Sequence, residues 1–336
     1  HARIKADGIE LVSGKGKRKT RLQRLSEWID QCLAKLKQYT KDIHICGNRN
    51  SYSKTDHDAT FMHMKEDYMR NGQLKPGYNV NVATCSDFII GSYISSDRND
   101  VHTLIPFMEQ LRKNYAGRNI GSVVVDSGYE SEENYCWFEA HPETELYVKP
   151  SNHEAVKHRK YRTDISRREN MAYDAQTDTY TCANGKLLQR TQEKKTHTAS
   201  GLEIATSVYE CNECDGCPLK EKCIRACGSK KPLEERYKVI YVSKRFARQR
   251  QAMEAKISSP KGCLLRVNRS IQAEGNFAYV KQDLDFRRFL LRGNMKVAAE
   301  WLLFSLALNI LHLHHKIQNR RLGSDLKIPS SFPAGL

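Results

Sequence analysis

An acidic side chain stands at the end of an aliphatic run where it could act on a phosphate ester. Asp126 closes the stretch VVVD at positions 123–126, and Gly128 follows two residues later. A continuous aliphatic run is typical of a strand buried on both faces, and ligand groups in open α/β sheets gather at the carboxyl ends of such strands. The pattern predicts a reacting acid at Asp126. The alternative interpretation is an Asp that opens a turn or caps the next helix.

A second acid, Glu274, lies in the stretch IQAEGNFAYVKQD. On a helix, Glu274 shares a broad face with Ile271 and Phe277, because positions three and four apart are neighbours. That face is predicted to point inward, where a lone carboxylate is costly unless it is paired or bound to metal. Two hypotheses follow: a metal ligand, or an ion pair with Lys281 or Arg269.

Together the two acids suggest phosphodiester chemistry. Carboxylate oxygens hold Mg²⁺ or Mn²⁺, and a pair of such ions can activate a water or a 3′-hydroxyl and stabilise the leaving oxygen. The net charge of +16 favours nucleic acid as the partner, ahead of an anionic membrane surface, although a basic surface can also serve solubility alone. The basic residues nearest in sequence to Glu274 are the candidates for DNA backbone contacts: Arg269, Lys281, Arg287, Arg288 and Arg292.

Cysteines are concentrated in one short segment of the chain. Four of the eleven follow the spacing Cys-x2-Cys-x2-Cys-x5-Cys, at Cys211, Cys214, Cys217 and Cys223. Thiolates at such spacing can close a tetrahedral structural Zn²⁺ site and organise a segment that is too polar to build a core. Cys182 and Cys227 lie nearby, so which four sulfurs bind stays open, as does the alternative of free thiols or a redox pair. The clustering also indicates a reducing compartment, the cytoplasm.

Three histidines, His312, His314 and His315, follow directly on an apolar helix and precede Arg and Lys. The sequence therefore predicts a DNA-facing helix end there, and not a metal site.

The elements that position these residues alternate between strands and helices, which is typical of an α/β protein. The apolar periodicity and turn signals predict the following order: a basic amphipathic helix at 18–40, an extended loop at 46–77, a hairpin of strands at 78–84 and 88–94, a helix at 100–117, a strand at 122–126, a helix at 131–140 capped by Ser131, and a strand at 145–150.

The rest of the chain is predicted to be an insertion followed by helices. Charges crowd together and apolar content falls at 151–235, whereas 236–256 and 264–283 look mainly helical. The apolar stretch from 297 to 313 is shorter than a membrane span and is interrupted by Glu300 and Asn309, so a buried helix and no membrane partner are expected.

Four blocks, in this order, resemble bacterial insertion-sequence transposases of the DDE type: NSYSKTDHDATFMHMKEDYMRNGQLKPGYNVNVAT, VVVDSGYESEENY, YECNECDGCPLKEKC and RSIQAEGNFAYVKQDLDFRRFLLRGNMKVAAEWLLFSLALNI. The similarity runs from about residue 45 onward. It implies an RNase H-like mixed sheet flanked by helices, with three catalytic acids on the first strand, the fourth strand and a late helix. By motif, Asp126 resembles the second acid and Glu274 the third. The resemblance further implies cleavage of double-stranded DNA at element ends, joining to target DNA, and a homodimer on the DNA, since an element has two ends.

The block that carries the family's first acid is not found. Asp7 is followed by Gly8, but the flanking residues do not match, and Asp56 and Asp58 belong to a later block. We therefore expect the C-terminal part of a longer transposase with little or no strand-transfer activity of its own. The alternatives are a DNA-binding remnant without chemistry, or an RNase H-like nuclease that performs no joining.

The expected organisation is a helical segment at 1–45, the first part of the catalytic core with strands two to five at 46–150, a cysteine-rich zinc-binding insertion at 151–235, the C-terminal helical part of the core at 236–320, and a flexible tail at 321–336. The expected location is the cytoplasm, in association with the nucleoid.

Overall fold

The computed structural model describes residues 1–64, 71–225, 231–323 and 326. The α-helices are α1 (Ala2–Ala6), α2 (Arg21–Cys46), α3 (Leu104–Asn114), α4 (Glu132–Glu139), α5 (Arg159–Arg162), α6 (Lys220–Cys223), α7 (Lys244–Ser258), α8 (Pro260–Arg269), α9 (Gly275–Ala278) and α10 (Asn294–Gln318). The strands are β1 (Thr60–Met62), β2 (Lys75–Gly77), β3 (Asn79–Cys85), β4 (Phe88–Ser95), β5 (Ser122–Val125), β6 (Glu145–Val148), β7 (Ala172–Asp174), β8 (Thr179–Thr181), β9 (Leu187–His197), β10 (Glu203–Cys211) and β11 (Lys238–Val242). Most of the predicted tail lies outside the described residues.

The strands form several small sheets in a mixed α/β arrangement. β1 pairs with β2, β3 with β4, and β5 with β6 in parallel, while β11, β10, β9, β8 and β7 form one antiparallel sheet in that order. The β3–β4 hairpin turns at Ser86 and Asp87, both with positive φ, as a two-residue type I′ turn requires. Since this hairpin and the β5–β6 pair are separate two-stranded sheets, the predicted RNase H-like mixed sheet is not confirmed.

By its internal contacts the chain divides into two compact units. The first comprises 1–79, 94–98 and 289–300, and the second comprises 80–93, 99–288 and 301–336.

In the second unit, a hydrophobic core lies between the β5–β6 pair and the helices α3, α4 and α7. The buried members are Leu104, Phe107, Met108, Leu111, Tyr135, Phe138, Leu146, Val148, Met253 and Ile257. The α3 side chains follow the predicted helical spacing, with Pro106 in the first turn, where a missing N–H costs nothing. Ser131 caps α4 as predicted, because its Oγ accepts a hydrogen bond from the Asn134 N–H at 3.0 Å.

The prediction of a helix over 236–256 is wrong in its first part. Residues 238–242 form β11, whose β-branched and aromatic side chains suit a strand paired with β10. The helix begins only after Ser243, whose Oγ accepts a hydrogen bond from the Phe246 N–H at 3.2 Å. The five-stranded sheet therefore extends past the predicted boundary at 235.

The expectation of a buried C-terminal helix is also wrong. Of the described helices, α10 alone is long and apolar enough to cross a membrane, a test that core helices of other proteins also pass, and only 22% of its most apolar stretch is buried. It contacts the β3–β4 hairpin through Asn309, whose side-chain amide accepts a hydrogen bond from the Ile89 N–H and donates one to the Ile89 carbonyl, both at 2.8 Å. Leu302, Leu303 and Leu306 are left exposed.

In the first unit, three acidic side chains accept hydrogen bonds from backbone N–H groups. The Asp58 carboxylate accepts a hydrogen bond from the Asn294 N–H at 2.9 Å, at the start of α10, and Asp56 accepts one from the Gly293 N–H at 3.2 Å. Glu300 is buried and accepts hydrogen bonds from the N–H groups of Leu290 and Leu291. Asp58 thus satisfies an amide that α10 itself leaves unpaired, while Asp56 and Glu300 fix the segment that leads into this helix.

Candidate metal and DNA site

Asp126 lies at the carboxyl end of β5, where the sequence predicts it. Its side chain is exposed, and its Oδ1 accepts a hydrogen bond from the Ser127 N–H at 2.7 Å, which opens a short 3₁₀ turn at Ser127–Tyr129. Asp126 therefore opens a turn, as the alternative interpretation of the sequence predicts. This role leaves the carboxylate in solvent, where it can still meet a ligand.

Gly128 is needed for a close approach and not for an unusual backbone angle. A Cβ at this position would lie 3.0 Å from the Oδ2 atom of Asp100, which is tighter than an ordinary contact, and the φ of Gly128 is not positive. Because Gly128 has no side chain, the carboxylate of Asp100 can lie against the turn that follows Asp126.

Tyr129 anchors the far end of this turn. Its hydroxyl donates to Asn81 Oδ1 at 2.5 Å, and the buried Thr103 hydroxyl donates to the same oxygen at 2.8 Å. Burial and the negative charge of Asp100 raise the pKa of Tyr129; Asp126 raises it further, while a hydrogen bond with Thr103 and the charge of Arg269 lower it. The phenol therefore stays protonated at neutral pH, surrounded by two carboxylates and one guanidinium.

The next residue, Glu130, ties the turn to α7. Arg250 donates to Glu130 from Nε at 2.8 Å and from Nη2 at 2.9 Å, and the Ser151 N–H adds a third hydrogen bond at 2.7 Å. The Glu130 side chain is only 2% exposed. A bidentate guanidinium–carboxylate pair fixes both position and orientation, so the loop that carries Asp126 is held at both ends.

Glu274 lies at the end of a π-helical turn, Ser270–Glu274, which continues α8. Such turns are rare and occur frequently at functional sites. The prediction that Glu274 faces inward is wrong: its side chain is 63% exposed and pairs with the Arg269 Nη2 atom at 2.9 Å. The buried face is instead lined by residues spaced four apart, since wide turns shift the helical period: Asn268, Gln272, Asn276 and Val280.

Arg269 contacts one of the two predicted acids and shares with the other an electrostatic effect on Tyr129. It pairs with Glu274, and its charge acts on the Tyr129 hydroxyl, as does the charge of Asp126. Helix α8 also packs against β5. The helix that carries Glu274 is thus docked on the strand that presents Asp126.

The other predicted DNA contacts have varied surroundings. Lys281 lies over the ring of Phe277 with its Nζ 5.8 Å from the centroid, and Arg287 pairs with Asp285 at 2.5 Å. Arg288 is exposed. Arg292 belongs to the first unit, where its Nη1 donates to the Thr55 carbonyl at 3.5 Å.

Within the described ranges, no three His, Cys, Asp or Glu side chains are already arranged as a metal site. Of the predicted zinc ligands, Cys211, Cys214 and Cys223 are buried and Cys217 is half-buried, all as free thiols. Burial raises the pKa of Cys211 to about 11 and also raises the pKa of Cys223. Cys227 lies outside the described residues.

The three histidines near the end of α10 have different surroundings. The His312 ring is within 2.9 Å of the Asn276 Oδ1 atom, so it faces the interior. His314 and His315 are exposed, and their proposed contact with DNA stays a prediction.

Sequence reasoning missed Asn81, Asp100, Tyr129, Glu130 and Arg250. Tyr129 and Glu130 belong to the same stretch as Asp126, and a buried aromatic next to an acid was the available signal. The role of Arg250 could not be found, because it lies in a run of similar basic residues 120 positions downstream of its partner.

Comparison with known proteins finds one matching family model. Residues 181–314 match the transposase DDE domain, a range that includes Glu274 and the cysteine segment. The match confirms the resemblance of the C-terminal part of the chain to DDE transposases. No curated protein and no solved structure is significantly similar to the chain.

Proposed function

We propose that the chain is the C-terminal part of a DDE transposase, which cuts insertion-sequence ends and joins them to target DNA. The single observation that carries the proposal is the arrangement around Tyr129. Asp126 and Arg269 both act on its hydroxyl, and Arg269 in turn pairs with Glu274. The two acids that resemble the second and third members of the catalytic triad are thus both linked to one tyrosine, Asp126 through its charge and Glu274 through its ion pair with Arg269.

The donor set fits a hard divalent cation. Asp126 and Glu274 offer exposed carboxylate oxygens, which Mg²⁺ and Mn²⁺ prefer. When bound, such ions supply charge stabilisation at the attacking and leaving oxygens of a phosphodiester. The chain's own contribution is positional: the Arg250–Glu130 pair and the Tyr129–Asn81 hydrogen bond fix the turn that presents Asp126.

Arg269 has a second role in the proposal. While it pairs with Glu274 it neutralises a carboxylate that forms no other ion pair within the described part of the chain. When that carboxylate binds a metal, the guanidinium becomes available to a DNA phosphate. Lys281, Arg287 and Arg288 are proposed as further contacts to the DNA backbone, as is Arg292 in the first unit, and the net charge of +16 favours such contacts.

The proposal further assigns a homodimer on DNA, the cytoplasm and nucleoid as location, and a structural Zn²⁺ in the cysteine segment. The dimer follows from the two ends of an element. The zinc site is independent of the acids.

The test is a plasmid assay with the purified chain. We expect binding to duplex DNA that weakens steeply with salt, and little or no nicking of supercoiled plasmid in Mn²⁺, because the block that carries the family's first acid is not found in this chain. Nicking that is lost in Asp126→Ala and in Glu274→Gln, but kept in the control Asp283→Asn at an exposed acid of the same helical stretch, would contradict the expected lack of activity and show that the two acids suffice.

The other outcomes of the plasmid assay would change the proposal as follows. A DNA-binding remnant without chemistry would also bind without nicking, and it differs from the proposed transposase part in that Asp126 and Glu274 take up no Mn²⁺. Nicking without joining of a 3′-end would indicate a nuclease of the same fold. Nicking that survives both acid substitutions would overturn the assignment of the site.

A further inference from the structure

Five cysteines line one small cavity in the second unit, although their side chains are not yet arranged as a metal site. Its cysteines come from two separate parts of the chain: Cys182, Cys211, Cys214, Cys217 and Cys223. The cavity has a volume of about 20 Å³. That is room for one water-sized body, and therefore for one metal ion.

Cys182 is the member that sequence spacing leaves outside the cluster. It follows β8 directly and begins the tight turn that leads to β9. The turn is closed by hydrogen bonds of 2.9 Å from the Gly185 N–H to the Cys182 carbonyl and from the Cys182 N–H to the Lys186 carbonyl. The sheet thereby carries a sulfur from about thirty positions upstream to the cavity formed by the 211–223 segment.

Charge in the cavity wall points to a negatively charged occupant. Lys186, Lys220 and Lys238 line the cavity together with the thiols and Glu213. Lys186 pairs with Glu213 and Lys220 with Asp215, so Lys238 is the cation whose charge points to such an occupant. Lys238 is buried, and its ammonium donates to the carbonyl oxygens of Ser166 at 2.7 Å and Cys223 at 3.1 Å. Among the described residues it forms no ion pair with a carboxylate. A buried ammonium without a counter-charge is costly, whereas a zinc ion with four thiolates carries a net charge of about −2.

One sulfur already has a backbone donor. The Lys238 N–H, on β11, lies 3.4 Å from the Cys214 Sγ atom. Hydrogen bonds from outer groups to metal ligands orient the ligands and tune the metal. β11 therefore supplies both an amide donor and a cation to the same cavity.

We propose that this cavity binds one structural Zn²⁺ through four of its five thiols, and that Cys182 is one of the four. Each ligand loses its proton to solvent as its sulfur–zinc bond forms, and no oxidant or reductant is needed. The ion ties the β8–β9 turn to the 211–223 segment. The inference rests on the zinc part of the proposed function and is independent of the DNA chemistry, since zinc content and plasmid nicking are separate measurements.

Metal analysis of the chain, purified anaerobically without chelator, tests the proposal. We expect one zinc per chain in the wild type and loss of that zinc in Cys182→Ser. Among single Ser substitutions at the five cavity cysteines, we expect that four abolish binding and one does not. Cys85→Ser, at an exposed cysteine outside the cavity, is the matched control and keeps its zinc.

A second measurement on the wild type avoids variants that fail to fold. Alkylation followed by mass spectrometry is expected to leave Cys182 protected with zinc and modified after chelation, while Cys85 is modified in both states. Wild-type chain without zinc, full zinc in folded Cys182→Ser, or modification of Cys182 at the same rate with and without chelator would overturn the proposal.

Discussion

Arg250 donates two parallel hydrogen bonds to Glu130, from Nε at 2.8 Å and from Nη2 at 2.9 Å. Glu130 lies four residues after Asp126 in the sequence. The carboxylate is almost fully buried, so the pair is fixed in one geometry. It joins α7 to the turn that presents the acid. The position of Asp126 therefore depends on a residue far away in sequence.

Removal of Arg250 is expected to destabilise the fold strongly. Arg250→Ala leaves a buried carboxylate unpaired, which costs about 3–5 kcal/mol of unfolding free energy. Arg250→Lys should restore only part of this, because an ammonium cannot form the two parallel bonds. Arg248→Ala, an exposed position on the same helix, is the control and should change stability by less than about 0.5 kcal/mol. Urea unfolding measures the unfolding free energy of Arg250→Ala, Arg250→Lys and Arg248→Ala. Equal stability of the two alanine variants would refute the role of the Arg250–Glu130 pair.

Arg269→Ala is expected to weaken binding of duplex DNA and to reduce the slope of log affinity against log salt by about one. The physical reason is the loss of one phosphate contact and of the counterion that it displaces. Lys195→Ala, in the β9–β10 hairpin, removes an exposed cation that pairs with Glu203 and should leave the slope unchanged. Fluorescence anisotropy across a salt series measures the slope, and an unaltered slope in Arg269→Ala would contradict the DNA contact.

Asp178 should make stability dependent on acid pH. Burial raises the pKa of Asp178, but hydrogen bonds from Lys244, Tyr209 and Tyr173 outweigh it and hold the pKa at about 2. The unfolded value is about 3.9. Because the folded pKa is the lower one, the contribution to stability is fully present above about pH 4 and is lost as the pH falls through about 2.

The Asp178→Asn variant should lack this acid-sensitive component, whereas Asp283→Asn should retain it. Urea midpoints measured on both sides of the window test the prediction. A parallel decline in the wild type and in Asp178→Asn would show that other groups dominate.

The sequence was sufficient for features set by local periodicity. The apolar spacing of α3, the Ser131 cap of α4, the β3–β4 hairpin and the strand that ends at Asp126 were all predicted, because each depends on neighbours within a few residues. The resemblance to DDE transposases was likewise confirmed over residues 181–314.

Features set by long-range partners were not predictable. The helical prediction failed at β11, where pairing with β10 decides the conformation. The face of Glu274 was misjudged, because two π-helical turns change the period of a helix that was assumed to be regular. The pairing of Glu130 with Arg250 and the place of Cys182 beside the 211–223 segment exist only after the chain has folded.

The central claim is that Asp126 and Glu274 together bind a divalent cation. Titration of the chain with Mn²⁺, followed by the electron paramagnetic resonance signal of the free ion, measures this without any DNA. We predict that the wild type takes up Mn²⁺, that Asp126→Asn and Glu274→Gln each weaken its affinity by about tenfold or more, and that Asp283→Asn binds as the wild type does. Folded wild-type chain that takes up no Mn²⁺, or undiminished binding in both Asp126→Asn and Glu274→Gln, would contradict the account.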